Sequence, residues 1–284
     1  MSGRVTVAVA PLRRAPSHES ECLTQALHGE AFETLETSAD GAWARVRLSA
    51  DGYEGWLRSW YGAAADGGEP GLTVTARCAE VRERPAASAP ILAALPWQSR
   101  VWAAQREGSW TRVRLAGGAV GYLPTRQVET AHPPGGEATS SRIWRTAMRL
   151  VGAPYLWGGR TVWGYDCSGL VQAVLAWHGV AVPRDSRDQL LQARERGRFR
   201  RPRKGGPPPP RAGKGDLLFF GPGPEEANHV ALADGKGSFL HAYGQVGLGS
   251  LSETSQQYVP ALVSAFIGIA SWRSFLPSEA PRSE

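Results

Sequence analysis

The sequence predicts an α+β domain of about 140 residues preceded by two small all-β barrels. Three observations predict this. The first 130 residues contain an internal repeat. Within each copy, apolar and polar residues alternate around recurring turn signals. Beyond residue 140 the pattern changes to two helical faces followed by short apolar runs separated by Gly and Asp.

Gly41-Ala42-Trp43-Ala44-Arg45-Val46-Arg47-Leu48 returns 67 residues later as Gly108-Ser109-Trp110-Thr111-Arg112-Val113-Arg114-Leu115. Gly55-Trp56-Leu57 returns as Gly121-Tyr122-Leu123, and Leu12-Arg13 with Ala15-Pro16 returns as Val81-Arg82 with Arg84-Pro85. Two copies of one unit are therefore expected, over 1–62 and 70–130. Trp43, Val46 and Leu48 stand among polar neighbours before the turn residues Asp51-Gly52, which reads as a hairpin. Several short strands in so few residues suggest a barrel, because closure is how a small sheet disposes of its edges. Linkers are expected at 62–70 and 131–140, where small, polar and turn-prone residues cluster.

The remaining domain is expected over 141–276. Ser141 can cap a helix over 142–151 that Gly152 and Pro154 end. A second helix over 168–178 puts Leu170, Val171, Val174 and Leu175 on one face and stops at Gly179. The runs Leu217–Phe220, His229–Ala233 and Ser238–Ala242 read as strands. An Arg- and Pro-rich insertion at 194–214 interrupts the domain and reads as an exposed, extended loop around Pro207–Pro210. Its functional alternative is a lid or a docking arm for an acidic group.

Charge excludes one obvious function. The chain carries +6, but 194–214 holds nine basic residues against one acid, a net +8 that leaves −2 for the rest. Basicity confined to one run is no footprint for nucleic acid, which needs a charged face with interleaved aromatics. Three cysteines far apart, with no CxxC, argue against a disulfide framework or structural zinc and suit a reduced compartment. Val5–Leu12 is too short an apolar stretch for a secretory signal, and no segment reaches the roughly 18 apolar residues of a membrane span. A cytoplasmic, monomeric protein without cofactor or metal is the expectation.

The chemistry concentrates at Trp157-Gly158-Gly159 and Tyr165-Asp166-Cys167-Ser168-Gly169. A thiolate is the nucleophilic form, and a cysteine at a helix N-terminus sits in the positive end of the macrodipole, which favours that form. Free backbone N–H groups there can hold an oxyanion, and the small neighbours Ser168 and Gly169 let a carbonyl approach. Cys22 and Cys78 lie in the repeats without such a setting. A cysteine nucleophile needs a base and a group to orient it. His229 opens one apolar strand and His241 lies on the next; antiparallel pairing across Asp234-Gly235 would bring them together, with His241 accepting the Nδ1 proton of His229. Further on from Cys167, Asp185-Ser186 follows the Pro183 turn. Its two readings are an N-cap for a helix over 187–196 and a site for a ligand ammonium.

Asp-Cys-Ser-Gly after Trp-Gly-Gly and before a helix, then Asn-His-Val, then His-Ala twelve residues on, resembles the NlpC-type family of bacterial cell-wall peptidases. The pattern Leu-Arg-x-x-Pro, Gly-x-Trp-x-x-Val and Gly-(Trp/Tyr)-Leu over about residues 5–128 resembles bacterial SH3 domains. The resemblance implies a papain-like α+β catalytic domain behind two SH3-like barrels, with Cys167, His229 and His241 as the catalytic set. It further resembles a subgroup that cuts between γ-D-glutamate and an L-diamino acid in peptidoglycan peptides bearing a free N-terminal L-alanine. That likeness implies an ammonium site at Asp185 and Ser186, a pocket wall at Trp157, Asp166 beside the nucleophile, and Glu21 and Tyr61 supplied by the first barrel. The rivals are a broader endopeptidase or amidase acting on intact wall with the barrels as anchors, and a catalytically inactive wall-binding module.

Overall fold

The repeat becomes two antiparallel seven-stranded sheets. The first contains β1 (Ser2–Val5), β2 (Val9–Arg13), β3 (Cys22–Leu27), β4 (Ala31–Thr37), β5 (Trp43–Leu48), β6 (Glu54–Arg58) and β7 (Gly62–Ala64), in the order β3-β2-β6-β5-β4-β1-β7. The second contains β8 (Leu72–Val74), β9 (Cys78–Arg82), β10 (Ile91–Pro96), β11 (Arg100–Glu107), β12 (Trp110–Arg114), β13 (Val120–Pro124) and β14 (Val128–Glu129). Its order, β10-β9-β13-β12-β11-β8-β14, is the first order advanced by one repeat. These coordinates are a computed structural model that describes residues 2–65, 68–130, 133, 135–201 and 212–276.

Alternation explains the sheets. In β5, Trp43, Val46 and Leu48 are buried, while Arg45 and Arg47 point outward and pair with Glu54 on β6 at 2.9 and 2.6 Å. Such exposed pairs contribute a few tenths of a kcal/mol each. The buried set does more: Val5, Ala10, Leu12, Val46, Leu48 and Leu57 form one core, and Val81, Leu95, Val113 and Leu123 part of the other. The repeated glycine has a steric reason. A Cβ on Gly55 would stand 3.0 Å from Leu12 Cβ, and one on Gly121 2.6 Å from Val81 Cγ1, so both mark a close crossing of β6 on β2 and of β13 on β9.

His28, which has no chemical context in the sequence, holds the two sheets to one another. It is 1% exposed; Ala116 N–H donates to its Nε2 at 3.1 Å, and its Nδ1 lies 3.0 Å from the Thr6 carbonyl. That partner set calls for the neutral tautomer with the proton on Nδ1. Residues 153–166 pack with these sheets, making one compact unit of 1–134 with 153–166 and a second of 135–152 with 167–284. In the 153–166 segment, β15 (Arg160–Thr161) pairs with β16 (Gly164–Tyr165). The buried Arg160 anchors it: its N–H and guanidinium reach Gln25 Oε1 and O at 2.9 Å each, and Glu30 Oε1 at 3.3 Å.

The second unit begins with α1 (Ser140–Met148), capped by Thr139 rather than Ser141 and ending short of the expected residue 151. Then come α2 (Cys167–Ala176), α3 (Ser186–Glu195), β17 (Phe199–Arg200), β18 (Leu217–Phe220), β19 (His229–Ala233), β20 (Ser238–Tyr243), β21 (Gln245–Ser250), α4 (Pro260–Ser264) and β22 (Phe266–Ala270). The antiparallel sheet runs β17-β22-β18-β19-β20-β21, and α2 packs along β19 and β20. Both faces of β18 and β19 are covered, which is why Leu217–Phe220 and Val230–Ala233 read as unbroken apolar runs.

The basic insertion does not begin as a loop. Arg194 lies in the last turn of α3, and Phe199 and Arg200 form the edge strand β17 against β22. Arg194 and Arg201 both bind Glu225, at 2.7 and 2.6 Å, on the connection between β18 and β19. Pro207–Pro210 lie outside the described residues. No helix among the described residues is long and apolar enough to cross a membrane.

Candidate active site

Cys167 is the first residue of α2, a ten-residue helix, so it stands at the positive end of the helix dipole. The thiol is 8% exposed, and its Sγ lies 4.0 Å from the carbonyl oxygen of Asn228. That carbonyl belongs to the residue immediately before His229, so the start of α2 and the start of β19 meet at the sulfur.

The two histidines are joined directly. His229 Nε2 and His241 Nδ1 are 2.9 Å apart, with the rings edge to face at 79°. The strand register explains the meeting. Leu232 faces Leu240 and Ala233 faces Phe239, so His229 and His241 fall diagonally on the same face of the β19–β20 pair. The nitrogen engaged is Nε2 of His229, not the Nδ1 that strand pairing alone suggested. A general base must offer a bare nitrogen to the thiol. Nδ1 is the nitrogen left for that, and the neutral ring then carries its proton on Nε2 and donates to His241 Nδ1.

The ring of His241 is positioned on both sides. Phe239 meets it edge on, with centroids 5.1 Å apart and planes at 90°. On β21, a Cβ at Gly249 would come within 2.5 Å of the Phe239 ring and 3.3 Å of His241 Nε2. A side chain at 249 would therefore drive into the support of the pair. Neither Arg184 nor Gln189 carries a role in the sequence reading, yet both brace the helix that Cys167 opens. Arg184, 2% exposed, donates from Nη1 to Ser168 Oγ at 3.0 Å. Gln189 Nε2 donates to the carbonyls of Ser168 and Pro183 at 3.2 and 2.8 Å. The available signal was Ser186-x-x-Gln189, which mimics a capping box but serves α2 instead.

Asp185 occupies the N-cap position of α3 with extended backbone, φ −96° and ψ 143°, but its side chain makes no capping bond. Ser186 Oγ donates to the Ala227 carbonyl at 3.0 Å, two residues before His229. The remaining expected residues lie in the all-β unit. Trp157, 62% exposed, donates from Nε1 to Glu21 Oε1 at 3.0 Å, and Glu21 Oε2 accepts from Arg14 Nε at 2.7 Å. The Arg14 hydrogen bond, then that of Trp157, holds the Glu21 carboxyl below its ordinary range. Asp166 accepts from Gly158 N–H at 2.9 Å and so shapes the Trp-Gly-Gly loop. Cys22, set aside in the sequence, lies under that loop: a Cβ on Gly158 would meet its carbonyl at 2.6 Å. Tyr61 packs against the core of the first sheet and against Trp60, with ring centroids 4.3 Å apart.

Burial lowers the pKa of four histidines: His28, His178, His229 and His241, with His241 adding a smaller lowering to His229. The sign follows directly. A group harder to protonate when folded contributes stability that is complete above its unfolded pKa, about 6.5, and is lost as pH falls towards the folded value. Each such imidazole removes up to about 1.4 kcal/mol per pH unit in that window. Thermal denaturation is therefore expected to shift downward from pH 7.5 to pH 5. A transition temperature that holds steady or rises over that interval contradicts the neutral-imidazole assignment.

Comparison with known proteins places this geometry. Residues 152–264 match the model of the NlpC/P60 family, and residues 12–59 match the bacterial dipeptidyl-peptidase SH3 domain. A dipeptidyl-peptidase 6 of Lysinibacillus sphaericus is 27% identical over 296 residues, spanning 95% of this chain and 99% of the relative. A γ-D-glutamyl-L-lysine dipeptidyl-peptidase of Bacillus subtilis is 34% identical over 108 residues, 37% of this chain and 33% of that protein. The crystal structure of an NlpC/P60 family protein from Bacillus cereus superposes with a TM-score of 0.78 at 20% identity, covering 98% of this chain and 100% of that one. That likeness extends the shared fold across the all-β sheets as well as the domain that follows. The chain thus carries an NlpC/P60 domain, of a family of peptidoglycan peptidases, together with a bacterial dipeptidyl-peptidase SH3 domain.

Proposed function

We propose that the chain is a cysteine peptidase that hydrolyses the bond between γ-D-glutamate and the L-diamino acid of peptidoglycan peptides whose N-terminal L-alanine is free, acting in cell-wall peptide recycling. The observation that carries the reading is the His229–His241 contact of 2.9 Å beside the helix-start thiol of Cys167. The full-length likeness to a dipeptidyl-peptidase 6 supports the narrower specificity, and the matching strand order supports reading the second sheet as another SH3-like unit.

In the reaction, His229 Nδ1 takes the thiol proton and Cys167 Sγ attacks the γ-carbonyl carbon of D-glutamate. The developing oxyanion is held by N–H groups at the start of α2. The C–N bond breaks as His229 returns the proton to the departing α-amine, leaving a thioester on Cys167. His229 then takes a proton from water, hydroxide adds to the thioester, and the thiolate leaves and is reprotonated. His241 keeps Nδ1 of His229 as the working nitrogen throughout. The free alanine ammonium pairs with Asp185 and accepts orientation from Ser186, whose hydroxyl proton is committed to Ala227 while its lone pairs are left to accept. Trp157, Asp166, Ser168, Glu21 and Tyr61 are the further residues assigned to substrate binding in this reading.

The test is the product pattern. L-Ala-γ-D-Glu-L-Lys and its diaminopimelate counterpart, followed by mass spectrometry, should yield L-Ala-D-Glu and the free diamino acid. Cleavage at the L-Ala–D-Glu bond, or intact peptide after prolonged incubation, overturns the assignment.

A further inference from the structure

We infer that Tyr243 is a specificity-determining residue that receives the side-chain ammonium of the diamino acid leaving from the active site, an inference that rests on the reaction proposed above. The last residue of β20 is unlike those before it: Phe239, Leu240, His241 and Ala242 are buried, whereas Tyr243 is 69% exposed. Its ring lies 6.2 Å from that of His229, edge to face, and 6.0 Å from that of His241, nearly parallel at 10°. The turn at Gly244, φ +71°, and the pairing of Tyr243 with Gln245 place its backbone at the end of the hairpin.

The chemistry of the leaving group directs it there. His229 must deliver a proton to the departing α-amine, so that nitrogen lies within hydrogen-bond reach of the imidazole. Whatever the amine carries is then within one ring's distance of Tyr243. The neighbouring strand leaves space for it. On the face shared with His241 and Tyr243, β21 presents Gln245, Gly247 and Gly249. A Cβ at Gly247, directly opposite His241, would meet nothing within 4 Å. Residues 243–250, Tyr-Gly-Gln-Val-Gly-Leu-Gly-Ser, carry no charge. The electron-rich ring face is thus the group on this strip suited to a cation, and an exposed aromatic holds an ammonium by cation–π attraction.

The test compares L-Ala-γ-D-Glu-L-Lys with L-Ala-γ-D-Glu-L-norleucine, which keeps the chain length and removes the ammonium. The wild-type chain should prefer lysine in kcat/KM by roughly 2- to 5-fold. Tyr243→Leu should erase that preference by slowing the lysine substrate alone, and Tyr243→Phe, which keeps the ring, should retain it. The rate of Cys167 alkylation by iodoacetamide reports whether the variants keep an intact site and should not change. Equal losses on both substrates, or an unchanged preference in Tyr243→Leu, overturn the assignment of Tyr243 alone. Failure of the wild-type chain to release lysine or norleucine from these peptides overturns the underlying reaction as well.

Discussion

Replacing Cys167 by alanine should lower kcat/KM on the tripeptide by about 10,000-fold or more, with the fold intact. Without sulfur there is no thioester, and neither the helix N-terminus nor the histidine pair supplies a nucleophile. His229→Ala should cost nearly as much, because the buried thiol then loses the acceptor of its proton and the amine loses its donor. His241→Ala should cost less, about 100- to 10,000-fold, since its role is to hold the tautomer and orientation of His229 and not to touch the substrate. The three losses should not add: once Cys167 is gone, removing either histidine changes nothing further. Iodoacetamide should abolish the wild-type activity while leaving circular dichroism unchanged, and a chelator should leave activity intact. Stepwise additive losses, or substantial turnover by Cys167→Ala, would refute this assignment.

The parts of the molecule legible in its sequence are those where one residue's chemistry or one period dominates. Trp43, Val46 and Leu48 with their copies at 110, 113 and 115 announce a repeated hairpin, because burial on one face needs alternation. Cys167 before an apolar helix, and a histidine on each of two neighbouring apolar strands, announce a helix-start thiol and two imidazoles that meet. What escaped reading depends on partners distant in the chain. Arg184 and Gln189 look like surface residues of a helix start, yet their partners are on Ser168. Asp166 also accepts from the Gly158 N–H, a bond its place beside Cys167 in the sequence does not reveal. His28 and Cys22 acquire their places only when the second sheet and the 153–166 segment pack against the first. The choice of Nε2 over Nδ1 on His229 is set by side-chain rotation, which strand periodicity does not encode. β17 hides in a basic run because two residues suffice to pair with an edge, and β21 because its glycines make room for the rings of β20.

The second large effect expected is at the other end of the substrate. Acetylating the N-terminal alanine should lower kcat/KM by about 30- to 1,000-fold, corresponding to roughly 2–4 kcal/mol for a carboxylate left without its ammonium. Asp185 is half-buried, so the loss is bounded by partial access to water. It stands at the N-cap position of α3, and the N-terminus of a helix is a favourable place for an acidic side chain. Ser186, one residue on, is turned by its bond to Ala227 so that its oxygen can accept as well. The decisive measurement is a cycle. Asp185→Asn should slow the free peptide about as much as acetylation does, and should change the acetylated peptide little, because the two alterations remove one interaction. If Asp185→Asn slows both peptides equally, its effect is on the fold of the turn and the ammonium is recognised elsewhere. If the free and acetylated peptides turn over alike, the enzyme does not read the amino terminus, and cleavage of longer wall peptides becomes the better account of its specificity.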